Sequence, residues 1–158
     1  MSRAAADRRT DPTLDRYDRG IIEQLQADGR MPYTRLAAAV GLSEAAVRQR
    51  VQRLVESGAM QVVAVTDPMT LGLKRMAMIG IRTEGDTVGI ADQLQAMDDV
   101  DYVVITAGSF DLLVEVVVAG DDQLLDLGNR IRGVDGVTST ETFIYLRLVK
   151  QTFAWGAH

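Results

Sequence analysis

Between residues 48 and 53 the chain reads Arg48-Gln49-Arg50-Val51-Gln52-Arg53, two amides and three guanidinium groups inside six positions. None of these side chains is a nucleophile or a proton carrier near neutral pH. Their chemistry is hydrogen bonding to flat, patterned partners. A glutamine amide offers a donor and an acceptor side by side, the match for an adenine edge, and an arginine fork matches a guanine edge or a phosphate. On a helical wheel at about 100° per residue, Val47, Val51, Leu54 and Val55 gather on one side and are predicted core. Ala45, Gln49, Gln52 and Arg53 fall opposite, Arg48 and Arg50 flank them, and Ala46 lies near the outer edge. Small alanines allow close approach to a groove. The expected assignment is Gln49, Gln52 and Arg53 toward bases and Arg48 and Arg50 toward phosphates, with Ser43 and Ala45 completing the DNA-facing set. The alternative is a solvated face rich in good helix formers. Arg50 has a further alternative, an ion pair with Asp15 or Asp18 of an earlier helix.

The elements around this stretch favour the DNA reading. Leu14, Ile21, Ile22 and Leu25 form a helical stripe that ends at Gly29, a C-cap residue by type. Pro32 starts a short helix with Leu36, Ala37 and Val40 inward. Gly41-Leu42-Ser43 then makes a tight break, with Gly41 able to take a left-handed conformation and Ser43 able to cap the next helix. Two short helices joined by such a turn are a helix-turn-helix. Beyond Gly58 the valine-rich 60–66 stretch reads as a wing or interdomain strand, followed by a turn at Asp67-Pro68. From Arg75 strands and helices alternate: a strand over 76–82, a helix over 87–97, strands over 100–107 and 112–118, a helix over 121–132 and a last strand over 137–149. That βαββαβ order predicts a ferredoxin-like antiparallel sheet with helices on one face. The uncovered face calls for a partner, and a second copy of the chain supplies one economically. The expected class is therefore α+β, a winged helix-turn-helix followed by a ferredoxin-like domain. The boundaries are a flexible tail over 1–13, the DNA-binding module over 14–64, a linker over 65–73 and the sheet module over 74–158.

Composition removes other classes. The chain has no cysteine and a single histidine, His158, so thiolate chemistry, disulfides and histidine-centred metal sites are excluded. No glycine-rich phosphate loop or dinucleotide fingerprint occurs. The carboxylates Asp98-Asp99-x-Asp101 and Asp121-Asp122 sit at element boundaries, where acidic caps and turns are ordinary. No metal, catalytic residue or cofactor is expected. No apolar run reaches the roughly 18 residues of a membrane span, and nothing near Met1 resembles a signal peptide, so a cytoplasmic location is expected. The net charge of −5 is unevenly placed: residues 1–64 carry +2 and residues 65–158 carry −7. Affinity for DNA follows local charge, so the partition marks two modules and leaves the first free to bind a polyanion.

Taken in order, the motifs resemble the Lrp/AsnC family, the feast/famine regulators. The likeness runs from Leu14-Asp15-x-x-Asp18 and Ile21-Ile22-x-x-Leu25-Gln26-x-Asp28-Gly29-Arg30 through Leu36-Ala37 and Val40-Gly41-Leu42-Ser43 to Ala46-Val47-x-x-Arg50-Val51-x-x-Leu54. It continues at Asp67-Pro68-x-x-Leu71-Gly72, Gly108-x-x-Asp111-Leu112 and Thr140-x-Thr142. The resemblance implies a DNA-binding transcription regulator that dimerises through its sheet domain, assembles further into tetramers or octamers, and responds to an amino acid or related small-molecule effector. It places Gly108 and Asp111 in the effector pocket from the hairpin, and Thr140 and Thr142, with neighbours Thr138 and Ser139, from the last strand. A carboxylate can hold an α-ammonium, and hydroxyls with backbone N–H groups can hold an α-carboxylate. Against this stand ordinary roles: Asp111 as a turn residue, Gly108 as a positive-φ position, the threonines as strand formers. The chain departs from the family pattern at Ala107, where a threonine commonly stands, and at Gly58-Ala59-Met60-Gln61. A sensing subunit of ACT-like type, without DNA binding, would fit the sheet module and leave the helix-turn-helix unexplained. Phe153 and Trp155, past the last strand, read as an oligomer contact.

Overall fold

The computed structural model describes residues 14–152, so the tail over 1–13 and the aromatics Phe153 and Trp155 lie outside the described residues. The chain divides into two compact units between Ala64 and Val65, and Gln151 and Thr152 group with the first of them and not with the sheet module. Among the described residues no helix is long and apolar enough to cross a membrane.

The first unit holds three helices, α1 (Arg16–Ala27), α2 (Tyr33–Val40) and α3 (Glu44–Glu56). Asp15 opens α1 with a capping box. Its carboxylate accepts the N–H groups of Tyr17 and Asp18 at 2.8 and 2.9 Å, while Asp18 accepts the Asp15 N–H at 3.3 Å. α1 closes on Asp28, whose extended backbone ends the helix one residue before the predicted Gly29. Gly41 closes α2 at φ 73, and the Ser43 hydroxyl accepts the Ala46 N–H at 3.2 Å to start α3. The three helices enclose Ile21, Leu36, Ala37, Val47, Val51 and Leu54, none more than 6% exposed. Val55, expected in this core, is 44% exposed. It falls at the edge of the stripe that Val47, Val51 and Leu54 fill.

Residues 60–66 form no strand, contrary to the sequence reading. Val62, Val63 and Val65 stand 57–68% exposed. A strand is defined by the ladder it shares with another, and among the described residues this unit contains no second strand. β-propensity alone does not create one. The following turn forms as expected, with Asp67 accepting the Met69 N–H at 3.0 Å and the Thr70 hydroxyl at 3.1 Å.

The second unit is β1 (Arg75–Thr83), α4 (Thr87–Gln95), β2 (Val100–Ile105), β3 (Leu112–Val118), α5 (Asp121–Arg132) and β4 (Val137–Ile144). The strands lie in the order β2-β3-β1-β4, all antiparallel, which is the ferredoxin-like sheet the sequence predicts. Burial alternates along β3: Leu112, Val114, Val116 and Val118 are fully buried, and the residues between them are half-buried. The buried set joins Ala77, Ile79 and Ile81 of β1, Ile90 and Leu94 of α4, and Leu124, Leu127 and Ile131 of α5 in one core. β4 stops at Ile144 and not at Val149. Tyr145 still donates to the Met76 carbonyl, but β1 begins at Arg75 and leaves nothing further to pair with, so Leu146 is 96% exposed.

The other face carries Met76, Met78, Leu113, Val117, Tyr102 and Phe143, and α4 and α5 both pack on the opposite side. Phe110 folds onto β1 at Gly80, where an added Cβ would lie 2.7 Å from the ring, and it meets Phe143 edge-on at 6.1 Å. Glycine at 80 is therefore a packing requirement. On the same face the Tyr145 hydroxyl donates to Glu115 at 2.9 Å. Burial, then the bond to the Glu115 carboxylate and its charge, push the Tyr145 phenol up to about 12.

Two outcomes are expected. Leu127→Ala removes a fully buried side chain from the sheet core and should cost about 2–5 kcal/mol in urea denaturation. Because the Tyr145 pKa is raised above its ordinary 10.0, its contribution to stability is present below pH 10 and lost as pH rises through about 12. Spectrophotometric titration should show the Tyr145 phenol ionising near 12, and Glu115→Gln should bring it back toward its ordinary value.

Candidate nucleic-acid interface and ligand-binding region

The turn from Gly41 to Ser43 fixes how α3 leaves α2, and the core residues on its inner side fix its rotation. Ala45, Arg48, Gln49, Gln52 and Arg53 are consequently exposed together, with Ser43 at the helix start. A groove of about 610 Å³ runs along this face, lined by Leu42, Ala46, Gln49, Arg50, Gln52, Arg53 and Glu56. Gln49 makes no hydrogen bond to another described residue, so its amide is available. The Gln52 amide donates to Glu56 at 2.8 Å, and Arg48 donates to Glu44 at 2.8 Å while lying over the Tyr33 ring at 5.0 Å. These exposed one-turn pairs are weak and exchange readily for a phosphate or a base.

The arginines at 50 and 53 behave differently. Arg50 reaches back to α1, donating to Asp15 and Asp18 at 2.8 Å each and lying over the Tyr17 ring at 5.3 Å. Its side chain is 23% exposed. The internal ion pair named as its alternative is present, and Arg50 still lines the α3 groove. Bonding to the two carboxylates raises the Arg50 pKa further, and the Asp18 N–H first, then Arg50 and the Tyr17 N–H, hold Asp15 below the usual carboxylate range. Arg53 also touches Asp18, through one terminal nitrogen at 2.8 and 2.9 Å from the two oxygens, yet remains 60% exposed. Sequence reasoning foresaw a partner for Arg50. It missed that Asp18 serves both arginines, and it missed Tyr33, for which one aromatic at the start of a short helix gives no distinctive signal.

In the sheet unit the loop before β3 is tied down by its own backbone. Asp111 donates its N–H to the Ile81 carbonyl at 2.9 Å and accepts the Thr106 N–H on its carbonyl at 2.9 Å, and one carboxylate oxygen accepts the Thr83 N–H at 2.7 Å. The Thr106 hydroxyl caps the loop on the Phe110 carbonyl. The Asp111 carboxylate thus ties its loop to β1 through Thr83 rather than to its own hairpin, and one carboxylate oxygen remains uncommitted among the described residues. Gly108 has no positive φ, and nothing lies within 4 Å of an added Cβ there. On β4, Thr140 stands opposite Ile81 and Thr142 opposite Ile79, so both lie on the helix side of the sheet, whereas Ser139, opposite Arg82, lies on the bare side. Thr138 donates its hydroxyl to the Arg82 carbonyl at 3.1 Å. Asp111 and Thr140 flank the same end of β1, two strand spacings or roughly 10 Å apart. Sequence reasoning missed Thr83, whose N–H orients Asp111 and whose hydroxyl bonds that of Thr87 at 2.9 Å.

A helix-turn-helix with a polar outer helix, joined to a separate antiparallel sheet unit, defines a DNA-binding regulator with a second, sensory module. Comparison with known proteins is specific. The AsnC-type helix-turn-helix domain matches residues 14–55, and the Lrp/AsnC ligand binding domain matches residues 76–155. The HTH-type transcriptional regulator FL11 of Pyrococcus furiosus is 32% identical over 88% of this chain and 93% of its own length. Among solved structures, AsnC of E. coli superposes with a TM-score of 0.79 at 28% identity, covering 89% of this chain and 97% of that one. The feast or famine regulatory protein of M. tuberculosis complexed with L-methionine superposes with a TM-score of 0.80 at 30% identity, over 87% and 95%. The chain belongs to the Lrp/AsnC family of transcriptional regulators.

The contrast between the arginines is measurable. Arg50→Met removes a partner from the buried Asp18 carboxylate and should destabilise the helical unit by about 1–3 kcal/mol, seen as a lower Tm. Arg48→Ala breaks only an exposed pair and should leave stability within about 0.5 kcal/mol of the parent.

Proposed function

We propose that the chain reads double-stranded DNA in the major groove with α3, pairs with a second copy through the bare face of its sheet, and adjusts that assembly when an α-amino acid or a related small metabolite binds at the Asp111 end of β1. The observation that carries the DNA reading is the exposed face of α3, where Gln49, Gln52 and Arg53 stand around one groove behind a helix-turn-helix bend. Gln49 and Gln52 contact base edges, Arg53 a base or its phosphate, and Arg48 the phosphate backbone, with Ser43 and Ala45 at the helix start admitting close approach. Arg50 stays with Asp15 and Asp18 as part of the scaffold.

The self-association rests on the apolar side chains Met76, Met78, Leu113, Val117 and Phe143 that share the uncovered face, and a face-to-face dimer buries them on both copies. Larger assemblies, tetramers or octamers, follow from pairing such dimers. The effector class comes from the relative complexed with L-methionine and from the chemistry flanking β1. The second oxygen of Asp111 suits an ammonium, and the hydroxyls of Thr140 and Thr142 suit a carboxylate, with Thr138 and the Gly108 loop at the same end of β1 and Ser139 on the other side of the sheet. The site of action is the cytoplasm, where the DNA is.

Two measurements check this reading. Against a duplex selected from a random library by the parent chain, Gln49→Ala or Gln52→Ala should each weaken binding by about 1–3 kcal/mol. Arg48→Ala should weaken all duplexes alike and flatten the dependence of log K on log salt by about 0.9. Unchanged binding by the glutamine variants would leave a sensing subunit without DNA as the better description. For the effector, L-methionine and the other amino acids should raise Tm in a thermal-shift series, and Asp111→Ala should abolish the shift.

A further inference from the structure

The carboxylate of Asp18 sits in the first turn of α1 at 2% exposure, the one buried charged side chain among the described residues. It accepts four hydrogen bonds: the Asp15 N–H, one from Arg50, and two from a single terminal nitrogen of Arg53. A carboxylate removed from water must be answered by positive charge, so the pairing itself is expected. The asymmetry between the two arginines is not. Arg50 is also bound by Asp15 and covered by the Tyr17 ring, and would keep its place without Asp18. Arg53 has Asp18 as its only acidic partner among the described residues, and its Nε and second terminal nitrogen make no hydrogen bond to them. Gln49 lies one turn away on the same face, Gln52 is adjacent, and all three line the same groove.

We infer that Asp18, though it touches no ligand, is a positioning residue for DNA recognition: it anchors Arg53 by one nitrogen so that the rest of the fork is presented in one fixed geometry beside Gln49 and Gln52. An untethered arginine at the end of a flexible side chain reaches any of several phosphates and adds affinity for every sequence. A tethered one has lost that freedom before DNA arrives and is restricted to partners whose edge matches the remaining donors. The carboxylate also offsets about one positive charge at the surface that approaches the backbone. Asp18 therefore exchanges general affinity for discrimination. This rests on the proposal that α3 reads DNA, and it adds a determinant on a different helix.

The test compares the full chain and Asp18→Asn on the selected duplex and on a scrambled duplex of equal length, across a salt series. The asparagine keeps size and one acceptor and removes the charge. The expected result is tighter binding to the scrambled duplex, a fall of about tenfold or more in the ratio of selected to scrambled affinity, and a salt dependence steeper by about 1. In an Arg53→Gln background the same substitution should leave both ratio and slope unmoved. A purely structural role would lower Tm and weaken both duplexes equally with no change in slope, and that result overturns the inference. If Asp18→Asn does not fold, Arg53→Lys decides. It keeps the charge and loses the planar fork, so the ratio should fall with the slope unchanged, and a retained ratio overturns the positioning role. A parent chain that prefers no duplex sinks the DNA reading itself. A parent that discriminates, beside an Asp18→Asn variant that discriminates equally, sinks only the role of Asp18.

Discussion

A negative charge shut away from water constrains everything that packs around it. In the helical unit that charge is Asp18, and meeting it requires α3 to present its arginines toward α1 at one rotation and one height. The six apolar residues beneath are compatible with some slippage, because burial is non-directional. Hydrogen bonds at 2.8 Å are not. The ion network therefore supplies the direction that the small core lacks. Asp18 also closes the capping box with Asp15, so one side chain helps start α1 and orient α3. The outward face of α3, with its two glutamines, follows from those inner contacts.

The sheet unit meets a different constraint. Four strands and two helices give one covered face and one bare face, and β3 records the difference residue by residue, with fully buried positions alternating with half-buried ones. The bare side is not simply apolar. Phe110 folds over Gly80, and Tyr145 engages Glu115. Polar groups satisfied within the protomer can be covered by another surface without leaving a donor or acceptor stranded.

Much of this was legible in the sequence because the signals were local. Gly41 before Ser43 announces a left-handed bend and a helix start, and both are found. β3 and α5 were read to the residue, since turn residues bracket a period-two run and then a period-3.6 run. What sequence could not show is pairing across distance. Residues 60–66 have every strand preference and no strand to pair with. β4 was read five residues too long because its end is set by where β1 begins, not by anything in its own composition. A wheel places Val55 inside because it carries no information about what stands opposite the edge of the stripe. At the sites the same limit applies. The types of Gln49, Gln52 and Arg48 suffice to place them outside, whereas the commitment of Arg50 to Asp15 and Asp18, or of Asp111 to the Thr83 N–H, depends on residues some thirty positions away.

The pairing of β1 with β4 carries one more implication. The ladder joins Ala77 to Ile144 and Ile81 to Thr140, so the central strand of the sheet acquires one neighbour only from the end of the chain. The ion pairs that join α1 to α3 span no more than 35 residues. Local contacts form quickly, and distant strand pairings wait for the intervening chain to be ordered. During synthesis the three helices emerge ahead of β4 and can pack while it is still being made. The helices of the helix-turn-helix are then in place before the sheet is closed. A growing chain passes through a stage with packed helices and a three-stranded, half-protected sheet. That interval, set by the order of strands, is where misassembly has its opportunity.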